Sequence, residues 1–148
     1  MSVPKGDRKQ GKLEVLVMLN ALATYTIQIC KNEKNFPKRD RWILTQPIVR
    51  EAVDAYANAR KANAIRVATM DDYRLRREYQ MKTRCNLEAL LGLVEIAYTS
   101  LSLEEGRVEY WTGLVIAAEE KLGAWRSGDR KRYRELLKDG SYADMVEL

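Results

Sequence analysis

The run Asn35-Phe36-Pro37-Lys38-Arg39-Asp40-Arg41-Trp42 sets three cations beside an aromatic ring, a combination suited to gripping a phosphate backbone while a base stacks on the indole. Read more plainly, the same run is helix punctuation whose charges solvate a turn. Cations collect in three further places: the amino-terminal arm (Lys5, Arg8, Lys9, Lys12), the stretch Tyr73, Arg74, Arg76, Arg77, Tyr79, Lys82 and Arg84, and the segment Arg130, Lys131, Arg132 and Arg134. The 26 Lys and Arg outnumber the 21 Asp and Glu, giving a net charge of +5 and a pI near 9.2, which favours an anionic partner without demanding one. For each single cation a solvated i,i+4 pair, such as Arg74 with Glu78 or Arg50 with Asp54, competes with a binding role.

Enzyme chemistry has little to work with. The chain has no histidine, which removes the commonest general base and metal ligand and every Ser-His or Cys-His nucleophile. Glu104, Glu105, Glu109, Glu119 and Glu120 suggest a carboxylate-bridged metal bundle, but such sites use Glu-x-x-His pairs, and these glutamates fall mostly off the apolar stripe of their helix. No Gly-rich phosphate loop is present. Neither catalysis, a metal nor a cofactor is expected. Cys30 and Cys85 lack CxxC spacing, and with no targeting segment the expectation is a reducing cytoplasm in which both pack as small apolar thiols.

The elements that must position the cations are helical, since no alternating β-branched run is bounded by turn signals. At 148 residues one domain is expected: a flexible basic arm over 1–11, a four-helix bundle over 12–128, and a short C-terminal helix and tail over 129–148. The first helix is read from Lys12 to Lys34. Its apolar residues form two stripes, Leu13, Leu16, Asn20, Ala23, Ile27 and Val15, Met18, Leu22, Tyr25, Ile29, so a helix facing both its own core and a neighbouring subunit is one expectation. Val15 to Ile29 is uncharged yet too short and polar to span a bilayer, so no membrane partner is expected.

Pro37 ends that helix, and the second is read from Arg39 to Val67, with a kink or restart at Pro47, which cannot donate to the Ile43 carbonyl. Leu44, Ile48, Val49, Val53 and Tyr56 give it a larger-residue side. Ala52, Ala55, Ala59 and Ala62 give it a narrow face for close helix approach. Thr69 with Asp72 reads as a capping box opening a third helix whose core stripe is Leu87, Leu90, Val94, Ala97 and Leu101. Ser102 with Glu105 reads as a second box, opening a helix that buries Trp111, Leu114, Val115, Ala118, Leu122 and Trp125 and stops at Ser127-Gly128. Asp129 would then cap a tail helix, Arg130 to Lys138. Short connections make an antiparallel up-down all-α bundle the simplest architecture.

Four segments in order, Asn35 to Ile48, Asp72-Tyr73-Arg74-Leu75-Arg76-Arg77, Glu109-Tyr110-Trp111-Thr112-Gly113 and Ala124-Trp125-Arg126, resemble the small four-helix-bundle proteins related to ribosomal-RNA intervening-sequence proteins. Within that superfamily the chain is most similar to the accessory variability determinants of diversity-generating retroelements, over roughly Lys12 to Tyr133. The resemblance implies a barrel-like homopentamer that binds the element's reverse transcriptase and its template RNA, and that supports mutagenic cDNA synthesis without catalysing it. The nucleic-acid surface would then comprise Lys38, Arg39, Arg41, Arg74, Arg76, Arg77, Lys82, Arg84, Arg130, Lys131 and Arg132. The alternative is a protein-only helical oligomerisation module that uses none of them. Pro47, where many relatives continue the helix, and the length of chain beyond Tyr133 depart from the family pattern.

Overall fold

The computed structural model describes the backbone of residues 7–137 and the side chains of residues 14–136. Its long helices are α1 (Asp7–Lys31), α2 (Gln46–Ala64), α3 (Met70–Leu101) and α4 (Glu105–Arg132), and no strand occurs among the described residues. α1 packs on α2 and α4, and α3 packs on the same two, so the four enclose one apolar core. The helix expected from Lys12 starts at Asp7, inside the segment read as an arm; the side chains of Lys5, Arg8, Lys9, Lys12 and Leu13 lie outside the described residues.

α1 ends at Lys31, three residues before Lys34, because Asn32 terminates it. Its side-chain oxygen accepts from the Lys34 N–H at 3.0 Å, and its carbonyl accepts from Asn35 and Phe36 at 3.0 and 2.9 Å. Along α1 the core takes Val15, Leu16, Leu22, Ala23 and Ile29 from the two expected stripes together with Leu19, Thr26 and Cys30 from neither, while Asn20 is exposed and Met18, Tyr25 and Ile27 are half-buried. Asn20, Ala21, Thr24 and Gln28 face outward with Val17.

Pro47 acts as the sequence requires. The chain climbs through a 3₁₀ turn, Lys38–Asp40, and a π turn, Arg41–Thr45, in which the Gln46 N–H reaches back to the Arg41 carbonyl. α2 then starts with Pro47 in its first turn, where a missing N–H costs nothing. The alanine face works as read: Ala52, Ala55, Ala59 and Ala62 are fully buried, and Thr83 of α3 donates its hydroxyl to the Ala55 carbonyl at 3.3 Å. Of the larger residues, Leu44 and Ile48 are buried, Val49 and Tyr56 half-buried and Val53 exposed. α2 stops at Ala64, short of Val67, as Ile65 turns extended and the carbonyls of Ala62 and Ile65 accept from Arg76 Nη1 at 3.3 and 3.2 Å.

The Thr69 box forms in full: the Asp72 N–H donates to Thr69 Oγ1 at 3.2 Å, and Asp72 Oδ2 accepts from the Ala68 and Thr69 N–H groups at 3.0 Å each. Those bonds hold the exposed Asp72 carboxyl below its usual range, the Ala68 amide contributing most. The Ser102 box does not form. Ser102 takes a left-handed conformation, φ 55°, closing α3, and α4 begins after Glu104, whose side chain caps nothing. Leu103 explains it: buried at 5 % exposure, it must drop into the core within one residue of α3, and the sharp turn that brings it there falls on Ser102.

α4 does not stop at Ser127-Gly128. It runs to Arg132, so the expected tail helix from Arg130 is instead the last turn of α4, followed by a 3₁₀ turn, Arg134–Leu137. Asp129 is therefore no cap. Its carboxylate is buried against α3, which holds the final turns in helical register.

Candidate nucleic-acid interface

The described side chains divide the expected basic surface between two ends of the molecule. At one end, Phe36 is buried edge-on against Trp111 with ring centroids 6.2 Å apart. Trp111 in turn donates to Thr26 Oγ1 at 3.0 Å, and this pins the corner to the start of α4. At the other end, Asp129 joins α4 to the head of α3. Trp111 and Asp129 are eighteen residues apart on one helix, so the two ends lie about 27 Å apart at about 1.5 Å of rise per residue.

At the corner, Lys38, Arg39 and Arg41 are all exposed, and Lys38 makes only a loose ion pair with Glu33 at 3.7 Å. The π turn directs Trp42 and Ile43 outward, 75 % and 76 % exposed, the most open large apolar side chains among the described residues. Beside them a half-open groove of about 560 Å³ runs between α1 and α2. Ile27, Cys30, Phe36, Val49 and Val53 supply apolar walls, with Lys31, Lys38, Arg41 and Arg50 among its polar lining and Glu33 and Asp54 as counter-charges. Such a site offers aliphatic surface to bases and cations to phosphates.

The head of α3 departs most from expectation. Arg74 is exposed and pairs with Asp71 at 3.6 Å. Arg76 and Arg77, expected on the surface, are buried at 2 % and 1 % exposure. Arg76 grips Asp129 through Nε at 2.6 Å and Nη2 at 3.1 Å, while Gln80 donates to the same carboxylate at 2.9 Å. Its guanidinium also lies 5.3 Å from the Trp125 ring. A planar fork is suited to satisfying a carboxylate and two helix-end carbonyls at once. Arg77 Nη1 donates to the Arg126 carbonyl at 2.6 Å and to Gln80 Oε1 at 3.3 Å, and burial above all pulls the Arg77 pKa down. Arg76 ties three helices together, and Arg77 ties α3 to α4; neither offers itself to a partner as the sequence implied.

Lys82 and Arg84 are exposed one to two turns further along α3, Lys82 with its ammonium 5.0 Å from the Tyr79 ring. Arg130, Lys131 and Arg132 are exposed in the last turn of α4, where cations are favoured by the helix dipole. Arg126 also belongs to this end. Half-buried near Arg77 and Arg130, it stands in the Ala124-Trp125-Arg126 segment but is not among the surface cations expected from the sequence, although its i,i+4 spacing to Arg130 was the available signal.

Cys30 is buried and its thiol is pushed up to about 12, so it stays protonated at neutral pH. Cys85, expected to pack inward, is exposed, because the α3 register that buries Thr83 and Leu87 turns it out. No group of His, Cys, Asp and Glu that could hold a metal ion occurs among the described residues. No helix among them is long and apolar enough to cross a membrane. No known protein family, curated protein or solved structure matches this chain.

Proposed function

We propose that the chain is a non-enzymatic, nucleic-acid-binding helical adaptor. Within that class, the reading we favour is an accessory protein of a diversity-generating retroelement: a homopentamer of antiparallel four-helix protomers that holds the reverse transcriptase and its template RNA in the cytoplasm. The observation that carries it is the corner, where Trp42 stands 75 % exposed and follows the exposed Lys38, Arg39 and Arg41 in sequence. Trp42 and the neighbouring Ile43, 75 % and 76 % exposed, form an apolar surface of the kind that a base or another protein covers. The outward face of α1 supports self-association, since Val17, Asn20, Ala21, Thr24 and Gln28 leave it uncharged over three turns.

Reconstitution tests it. A reverse transcriptase of a diversity-generating retroelement should make cDNA from its template RNA only when the protein is added, and Lys38→Gln/Arg39→Gln/Arg41→Gln should lose that support while keeping its oligomeric mass by light scattering. Support that survives the triple variant removes the corner from the function; a monomer at micromolar concentration removes the pentamer. The exposed Ile43, Val53 and Ile116 favour the second reading, a protein-only assembly module, for which cDNA synthesis is indifferent to the protein.

A further inference from the structure

The seam between α3 and α4 at the end remote from the corner holds more positive charge than its carboxylates balance: Arg76, Arg77, Arg84, Arg126 and Arg130 stand against Asp129, Glu88 and Glu119. Arg77 and Arg84 lie seven residues apart on one face of α3, and Arg126 and Arg130 lie four apart on one face of α4. The bond from Arg77 Nη1 to the Arg126 carbonyl at 2.6 Å closes the two faces on each other. Asp129 is a shared counter-charge: Arg76 takes both of its oxygens and Gln80 one of them, and Arg77 feels the same carboxylate at longer range. Further along, Glu119 of α4 lies near Glu88 and Arg84 of α3, and burial first, then Glu88, raise its pKa.

Four donors in this region are buried without a hydrogen-bond acceptor: Arg77 Nε, Arg126 Nε, Tyr73 Oη and Trp125 Nε1. Arg77 is 1 % exposed and Tyr73 fully buried, and the Arg77 guanidinium lies 5.4 Å from the Tyr73 ring. Buried donors without acceptors are rare enough to call for an explanation, and a bound anion supplies one. Arg126 feels that repulsion: after burial, Arg77, Arg84 and Arg130 are the causes that pull its pKa down.

We propose that this seam, with Arg84, Arg126 and Arg130 along its surface and Arg77 buried beneath them, is a phosphate-binding cleft that receives the phosphodiester backbone of single-stranded RNA. It rests on the RNA-binding reading above and adds to it a second point of attachment at the far end of the protomer, with Arg126 as its central side chain. Arg126 and the exposed Arg130 touch the phosphates directly, while Arg77 supplies field from beneath.

Two measurements on the full chain separate the cleft from the reading it rests on. Inorganic tripolyphosphate at about a hundredfold excess over its dissociation constant should raise the wild-type melting temperature by about 5 °C, and should not raise that of Arg126→Gln/Arg130→Gln. Single-stranded RNA should bind the wild type with a salt slope that the double variant reduces by about 1.4 and Arg130→Gln alone by about 0.7. If the double variant fails to fold, Arg130→Gln, an exposed change, carries both arms. No stabilisation of the wild type by tripolyphosphate overturns the cleft whatever RNA does. RNA binding with the wild-type slope in the variants overturns the cleft and leaves the adaptor reading standing. Tripolyphosphate stabilisation without any RNA binding overturns the adaptor reading and the RNA occupant together.

Discussion

Replacing Asp129 by alanine should cost more stability than its surface-like sequence context suggests. The carboxylate is 3 % exposed and takes three hydrogen bonds, at 2.6 and 3.1 Å from Arg76 and 2.9 Å from Gln80. Its removal leaves the Arg76 guanidinium buried with only the Ala62 and Ile65 carbonyls as acceptors, next to Arg77 in the chain. Breaking a buried pair from one side typically costs about 3–5 kcal/mol. For a chain of this length, where each kcal/mol moves the midpoint by about 2–4 °C, the melting temperature should fall by roughly 6–20 °C. Thermal melts followed by far-UV circular dichroism measure it. The companion variant Arg76→Met/Asp129→Leu removes both charges and should recover most of that fall. A fall of less than about 2 °C for Asp129→Ala would refute the reasoning, because Arg76 would then not depend on this partner. The consequence for function is direct: replacing Arg74, Arg76 and Arg77 together, which the sequence invites as an interface test, would test folding instead.

Three further outcomes follow from the packing. Ala59→Leu places three extra carbons in the fully buried α2–α3 interface and should destabilise by about 1–3 kcal/mol in denaturant titration, whereas Ala64→Leu, at an exposed helix end, should be near neutral. Ser102→Gly relieves a left-handed non-glycine residue at φ 55° and should stabilise by about 0.5–1 kcal/mol, read as a higher denaturant midpoint at unchanged slope. Glu119, raised from 4.5 to about 7 by burial and then by Glu88, keeps in the folded state a proton that the unfolded chain releases. Its contribution is therefore complete below pH 4.5 and lost as pH rises through about 7, and Glu119→Gln should flatten the stability–pH curve across that window.

How far the chain could be read from its sequence depended on the range of the interaction concerned. The alanine face of α2 and the Thr69–Asp72 box were legible because each is decided within a few turns, by period or by a side chain three residues from its target. Pro47 was legible because a missing N–H acts locally. Ser102-Glu105 matched a capping box equally well and failed, since the burial of Leu103 outweighed the local bond. Ser127-Gly128-Asp129 looked like a stop followed by a cap, yet a partner 53 residues earlier carried the helix through it. The same distance hid the fate of Arg76 and Arg77. A cation-rich helix head reads as surface until an acceptor on another helix is known, and nothing local marked Asp129 as that acceptor. For the candidate interface, the corner residues keep the exposure the sequence implied, while the α3 head contributes Arg74, Lys82 and Arg84 and gives up its two central arginines to the core.

The central claim is that this is an RNA-binding adaptor working through exposed cations, and its most direct test is the affinity for single-stranded template RNA as a function of salt. Log K should fall linearly with log salt, and the slope should be smaller by about 2 for Lys38→Gln/Arg39→Gln/Arg41→Gln, at about 0.7 for each phosphate that is no longer neutralised. Affinity that does not change between low and physiological ionic strength, or a triple variant whose slope equals the wild type's, would contradict it.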